Sequence, residues 1–253
     1  MMRRAVHEAL TVALGRRAFR QRLIELPLVR RQLIKMILPA EEALSVAMFT
    51  ADCLDRADAG EAQAQVLRRI LTPLIKLRAC REARKVTGDA MEMRGGNGYI
   101  EEWIESRLLR ESHLGSIWEG TSNIIALDVV RAAARAGAHR ALAERLTPML
   151  AAAPADLSSA WRQRLDAALA LTERAAGEPR AARQAATGLY HLTAAALFAH
   201  EAQALADPVR LDLARLVLAH KLAARDPLAS PLPEDEAAAH RVIDALIAAR
   251  RAA

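Results

Sequence analysis

Glu119 has the setting of an acid–base catalyst. It stands between Trp118, bulky and apolar, and Gly120, which leaves open space beside it. A carboxylate against an indole loses hydration, and lost hydration raises its pKa toward the range useful to a general base. The competing reading is an acidic residue just ahead of a helix N-terminus, stabilised by the helix dipole. A second break in regular pattern is Arg94-Gly95-Gly96-Asn97-Gly98-Tyr99. Its glycines permit positive φ and let another group approach the backbone closely. Taken alone, the run also reads as a helix C-terminus. It follows a helical pattern rather than a strand, so it is neither a dinucleotide fingerprint nor a P-loop.

Other chemistries lack their residues. His7-Glu8 has no second His at zincin spacing, and His113, His139, His191, His200, His220 and His240 form no ligand-spaced cluster. No metal is therefore expected. His191 and His200 read as flanking a packed helix. Cys53 and Cys80 show no CxxC and read as a reduced pair inside helices. No nucleophile elbow is present.

The elements that must hold these residues read as helices almost throughout. Ala, Leu and Arg dominate, and mean hydropathy is +0.04 over 253 residues. Aromatics at 3% argue against a stacking platform for single-stranded nucleic acid. Eleven Gly and ten Pro are too few for a turn-dense β-sandwich. Helical periodicity marks residues 1–17, with Val6, Leu10, Ala13 and Leu14 on one face and no capping residue ahead. Pro27 opens a second helix to about Asp58, in which Pro39 predicts a kink or a break. A third spans about 61–93 around Pro73, then a short one about 101–112, and one at about 122–136 capped by Thr121 or Ser122. Amphipathic segments follow near 139–152, 156–175, 179–205, 208–224 and 234–251, the last two separated by the proline-rich stretch 226–233. The fold class is all-α: a long-helix, four-helix-bundle-like domain over 1–136 and an appended region of smaller helices over 137–253.

Net charge is +6, and residues 1–40 hold nine basic side chains against Glu8 and Glu25. That end suits an anionic partner, or it is simply a solvated arginine face. No run reads as a membrane span or signal peptide, so a cytoplasmic protein without membrane contact is expected.

Together, RGGNGY (94–99), Arg110-Glu111 and IWEGTSN (117–123) resemble the C-terminal domain of the acyl-CoA dehydrogenase family. GRRAFRQRL (15–23) is similar to that family's Arg-x-x-Phe-Gly segment. IWEGTSNIIALDVVRA and the helices after it look most like the alkylation-response, AidB-like branch. The resemblance implies that Glu119 removes the α-proton of an acyl-CoA thioester while the β-hydrogen leaves as hydride to FAD, with Trp118 and Gly120 facing the substrate. It implies FAD contacts at Arg16, Phe19, Glu92, Gly95 and Gly96, with Arg16 on the pyrophosphate and the glycine backbone along the adenosine end of a cofactor held mainly by a neighbouring subunit. Thr121 and Asn123 would meet phosphate or ribose oxygens. The family's usual Gln is replaced by Glu92 and by Pro27, and its Gly after the Phe by Arg20, which places ordinary fatty-acyl dehydrogenation in question.

Full-length relatives precede this region with a helical domain and a β-domain. The chain is thus expected to be a C-terminal part, with FAD retention doubtful for it alone and a separately encoded N-terminal half as partner. Homo-oligomers are implied as well. Two alternatives are a DNA-associated protein using Arg131, Arg135 and Arg140, and a non-catalytic oligomerisation remnant. In the remnant, residues 1–17 would expose an unpartnered apolar stripe.

Overall fold

The computed structural model describes residues 1–224, 226, 228–230 and 232–252. Pro227 and Pro231 of the proline-rich stretch lie outside the described residues. Helix α1 runs Met2–Gly15, α2 Pro27–Asp58 and α3 Ala62–Arg94. Pro27 sits in the first turn of α2, where its fixed φ suits the helix and its missing N–H is not needed. Pro39 does not divide α2, and Pro73 does not divide α3. A proline costs an interior helix ~3 kcal/mol. Burial of Leu33, Ile34, Met36, Ile37, Leu38 and Val46 around Pro39 outweighs that cost.

The expectation of an unpartnered stripe on the first helix is corrected. Met2, Ala5, Val6, Ala9, Leu10 and Ala13 are all buried, because α1 lies against both α2 and α3. The all-α reading also passed over a small antiparallel hairpin, β1 (Arg17–Ala18) with β2 (Gln21–Arg22). Its turn residues Phe19 and Arg20 have φ of 50° and 68°. Two successive positive φ values make a primed turn, which sequence normally announces with Asn or Gly. Neither occurs here.

After α3 come a single turn, α4 (Gly96–Tyr99), then α5 (Ile104–Leu114) and α6 (Ser122–Ala136). The path returns along α3. Arg94 pairs with Glu105, Thr87 Oγ1 donates to Ser112 Oγ at 3.0 Å, and Arg69 meets Asp128 at 2.8 Å. This antiparallel register decides where the loop carrying Glu119 sits.

The remaining helices are α7 (Ala138–Leu146), α8 (Ala155–Arg174), α9 (Ala182–Ala204), α10 (Pro208–Val217) and α11 (Pro233–Ala252), with a turn of π-helix at Leu218–Leu222. Helix α9 is buried along most of its length and packs on α2, α6, α8 and α10. Trp161 Nε1 donates to the Leu192 carbonyl at 2.9 Å, and buried His191 Nδ1 lies 2.6 Å from Glu42 Oε1 of α2. One hydrophobic cluster runs from Met2 to Ile243, so the later helices share a core with the first three.

Candidate active site

The residues singled out above fall into two clusters. The first gathers where α1, the hairpin tip and the end of α3 meet. Arg16 follows α1, and its Nη1 donates to the Arg94 carbonyl at 3.4 Å. The same nitrogen lies 3.2 Å from where a Cβ on Gly95 would sit, and Gly95 has φ +78°. Glycine is therefore needed twice at this position, for conformation and for the close guanidinium. Nothing lies within 4 Å of the equivalent point on Gly96, so its backbone is open to approach. Phe19 is 86% exposed at the hairpin tip, and Glu92 is exposed one turn before the loop. Structure thus brings Arg16, Gly95 and Gly96 together.

Arg94 fixes this corner. Its guanidinium pairs with Glu105 of α5 and, at 2.7 Å, with Glu8 of α1, and it lies 4.4 Å from the Trp103 ring centroid. Gly98 is buried, and a Cβ there would run into the Met91 backbone carbonyl. Gly98→Ala is expected to cost about 1–3 kcal/mol by overpacking. Urea unfolding monitored by circular dichroism measures this; an unchanged midpoint would show that the turn yields freely.

The second cluster is Trp118, Glu119, Gly120, Thr121 and Asn123. Lys76 of α3, unremarked in the sequence, holds this loop: its Nζ donates to the carbonyls of Gly115 at 2.6 Å and Trp118 at 3.0 Å. It also lies 5.8 Å from the Trp118 ring centroid. No local spacing could have marked Lys76, because its partners are some forty residues away. Glu119 adopts φ +54° and Gly120 φ +113°. A non-glycine residue in that region carries strain of ~1–2 kcal/mol, a cost that clusters at functional positions. Glu119→Gly is accordingly expected to stabilise the chain by about 0.5 kcal/mol, the relieved strain being partly offset by greater freedom of the unfolded chain. A lowered urea midpoint would overturn that reading.

Two expectations are corrected here. Glu119 is exposed rather than desolvated by the indole, since Trp118 itself is 56% exposed and turns its carbonyl to Lys76. Thr121 does occupy the N-cap position of α6, but its side chain makes no capping hydrogen bond. Its hydroxyl and the exposed Asn123 instead stand beside first-turn amides that favour an anion. Arg81 adds charge there, its Nη1 3.3 Å from Ser122 Oγ. Burial, and then the neighbouring Arg183, Arg78 and Arg84, hold its pKa below the ordinary arginine value. An unbalanced cationic corner of this kind attracts phosphate or carboxylate.

The clusters lie at different heights on α3. Lys76 marks one and Arg94 the other, a separation of about 27 Å at 1.5 Å per residue. Of the three arginines considered for DNA, Arg131 is 3.7 Å from Asp128 and Arg140 is 2.6 Å from Glu173, while Arg135 is exposed. Among the described residues, no group of three or more His, Cys, Asp or Glu is arranged to hold a metal ion. No described helix is long and apolar enough to cross a membrane.

A family model described as the acyl-CoA dehydrogenase C-terminal domain matches residues 1–134, more than half of the chain. The chain belongs to the acyl-CoA dehydrogenase family. It is 42% identical over 132 residues to the Escherichia coli protein AidB, covering 52% of this chain and 24% of AidB. It is 35% identical over 179 residues to 3-methylmercaptopropionyl-CoA dehydrogenase of Ruegeria pomeroyi, covering 69% of this chain and 29% of that enzyme. The crystal structure of Caenorhabditis elegans ACDH-11 in complex with C11-CoA superimposes with a TM-score of 0.82 at 24% identity, over 89% of this chain and 41% of that one. This acyl-CoA dehydrogenase C-terminal domain with its following helices thus spans roughly a quarter of the length of the sequence relatives it matches.

Proposed function

We propose that the chain supplies the C-terminal helical part of an FAD-dependent acyl-CoA dehydrogenase site, with Glu119 as the base that removes the α-proton of an acyl-CoA thioester. The observation that carries this is the strained, exposed presentation of Glu119 immediately before the uncapped N-terminus of α6. Among the described residues its carboxylate has no ion pair or side-chain hydrogen bond.

The residues present fit a flavin dinucleotide. Arg16 is a cation without a carboxylate within ion-pair distance among the described residues, Gly96 leaves an open cradle, and Phe19 exposes a ring for stacking. On the other cluster, the Thr121 hydroxyl, Asn123 and the first-turn amides of α6 suit phosphate or ribose oxygens. Glu92, an acid in place of the usual amide, faces solvent and leaves this cradle open. When bound, FAD supplies the acceptor for the electron pair and hydrogen that leave with the β C–H bond.

Glu119 takes the α-proton onto a carboxylate oxygen. Trp118 and Gly120 border the thioester, the one as an apolar wall and the other as clearance. Lys76 holds the loop backbone at Gly115 and Trp118. Residues 1–136 carry every one of these positions, and residues 137–253 buttress them through α9. Because the clusters stand about 27 Å apart along α3, they serve two sites in a homo-oligomer: one copy offers Glu119 while a second copy offers Arg16 and the glycine turn. The exposed side chains of Ile117, Trp118 and Ile124 await a covering surface from further polypeptide, which would exclude water from the base.

The test is a chimera in which this chain replaces the matching segment of the Ruegeria pomeroyi enzyme. Retained flavin absorbance and acyl-CoA-dependent dye reduction support the proposal. A folded, FAD-loaded chimera without turnover would overturn it.

A further inference from the structure

A cavity of about 650 Å³ opens between the first half of α2, where Pro27 is on its lining, the second half of α3, the π-helical turn and α11. Its volume is that of a small-molecule pocket. His220, Lys221, Asp235, Glu236, Ala239 and His240 line one side, and all six lie beyond the residues matched by the family model. The facing wall is apolar, with Leu28, Ile34, Leu38 and Pro39; Leu28 is 79% exposed at the mouth. A π-helical turn is rare and recurs at functional sites. Here it places His220 and Lys221 on the cavity.

The charges around this apolar wall are unevenly paired. Glu82 is already paired, with Arg78 and with Lys221 at 3.8 Å, and Asp235 lies 3.8 Å from His220. Arg30 is held by Asp244 at 2.7 Å. Arg31, Lys35 and Lys85 make no ion pair within 4 Å among the described residues. Asp89 faces both lysines beyond ion-pair distance; burial and then the charge of Glu92 raise its pKa, while Lys35 and Lys85 oppose that rise. Glu236 is the one other acid on the lining, exposed at the rim. Three unpaired cations beside an apolar wall match a ligand with one anionic head and one hydrocarbon body.

We propose that this cavity binds an anionic amphiphile, a medium-chain carboxylate or alkyl phosphate, independently of the flavin and acyl-CoA site. The head lies among Arg31, Lys35 and Lys85. The chain runs along Leu28, Ile34 and Leu38 toward Ala239.

Isothermal titration calorimetry on the purified full chain tests this, with decanoate, decyl phosphate, decanol and AMP as probes below micellar concentrations. One-to-one binding of either anion, with decanol at least tenfold weaker, is expected. The charge-reversed variant Lys35→Glu/Lys85→Glu should weaken the anion at least tenfold with an unchanged circular dichroism spectrum. Were that variant to misfold, Lys35→Met/Lys85→Met should show the same loss. Decanol binding as tightly as decanoate, binding of neither anion, full affinity in the charge variants, or displacement of decanoate by AMP would each overturn the proposal. The last result would make the cavity a nucleotide end of the flavin site.

Discussion

Glu119→Gln is expected to lower turnover of the acyl-CoA dehydrogenase chimera by about 10²–10⁴-fold while its FAD content stays constant. The glutamine keeps the size and polarity of the side chain but cannot take a proton. No other acid lies between Gly115 and Asn123, so nothing in the same loop can substitute. Glu119 is also the one residue from Gly115 to Asn123 other than glycine with a positive φ, +54°. Glu119→Asp should retain part of the rate, since it keeps the carboxylate but shortens its reach. Stopped-flow reduction of the flavin by acyl-CoA under anaerobic conditions reads the step directly. A Glu119→Gln chimera reduced at the parent rate would remove Glu119 from the mechanism.

Arg94→Met is expected to destabilise the chain by about 3–5 kcal/mol, the range found when one partner of a buried ion pair is removed. Glu105 is 1% exposed, one of its oxygens already lacks a partner, and Arg94 is its only ion-pair partner among the described residues. Methionine would leave that carboxylate in an apolar corner without a counter-charge. Glu8 suffers less because Arg4 also binds it, at 2.7 Å. The melting temperature should fall by roughly 6–20 °C, at about 2–4 °C per kcal/mol for a chain of this size. Arg94→Met/Glu105→Leu should recover most of the loss, because deleting both partners leaves no buried charge. Calorimetry on the three proteins decides it, and a single variant melting within 2 °C of the parent would show that water already reaches Glu105.

Much of this architecture was legible from local pattern. Pro27 marked the start of α2, and the boundaries of α6 agree with the periodic segment at 122–136. The glycine run and the Trp-Glu-Gly-Thr segment stood out because helix logic stops there. Where reading failed, long-range packing had overridden local preference. Of the kink or break expected at Pro39, the break is absent: α2 runs on through it, with buried side chains on both sides. The hairpin at 17–22 was invisible because Phe19 and Arg20 take positive φ without a glycine to announce it. Lys76 and Arg81 gave no signal, their partners lying about forty residues along the chain.

Residue types and spacing by themselves determined that the chain is helical and that it resembles the acyl-CoA dehydrogenases, and they marked Glu119 as a candidate for proton abstraction. Those properties are local, set by helix periodicity and by side-chain chemistry within a few positions. Only the tertiary structure decided that Glu119 is exposed and that the glycine turn stands far from it on α3. Both follow from the antiparallel return of α5 and α6 along α3, a register fixed by contacts between residues remote in sequence. The unpaired cations around the cavity under α11 belong to the same category: whether a charge has a partner is a property of the fold, not of the chain.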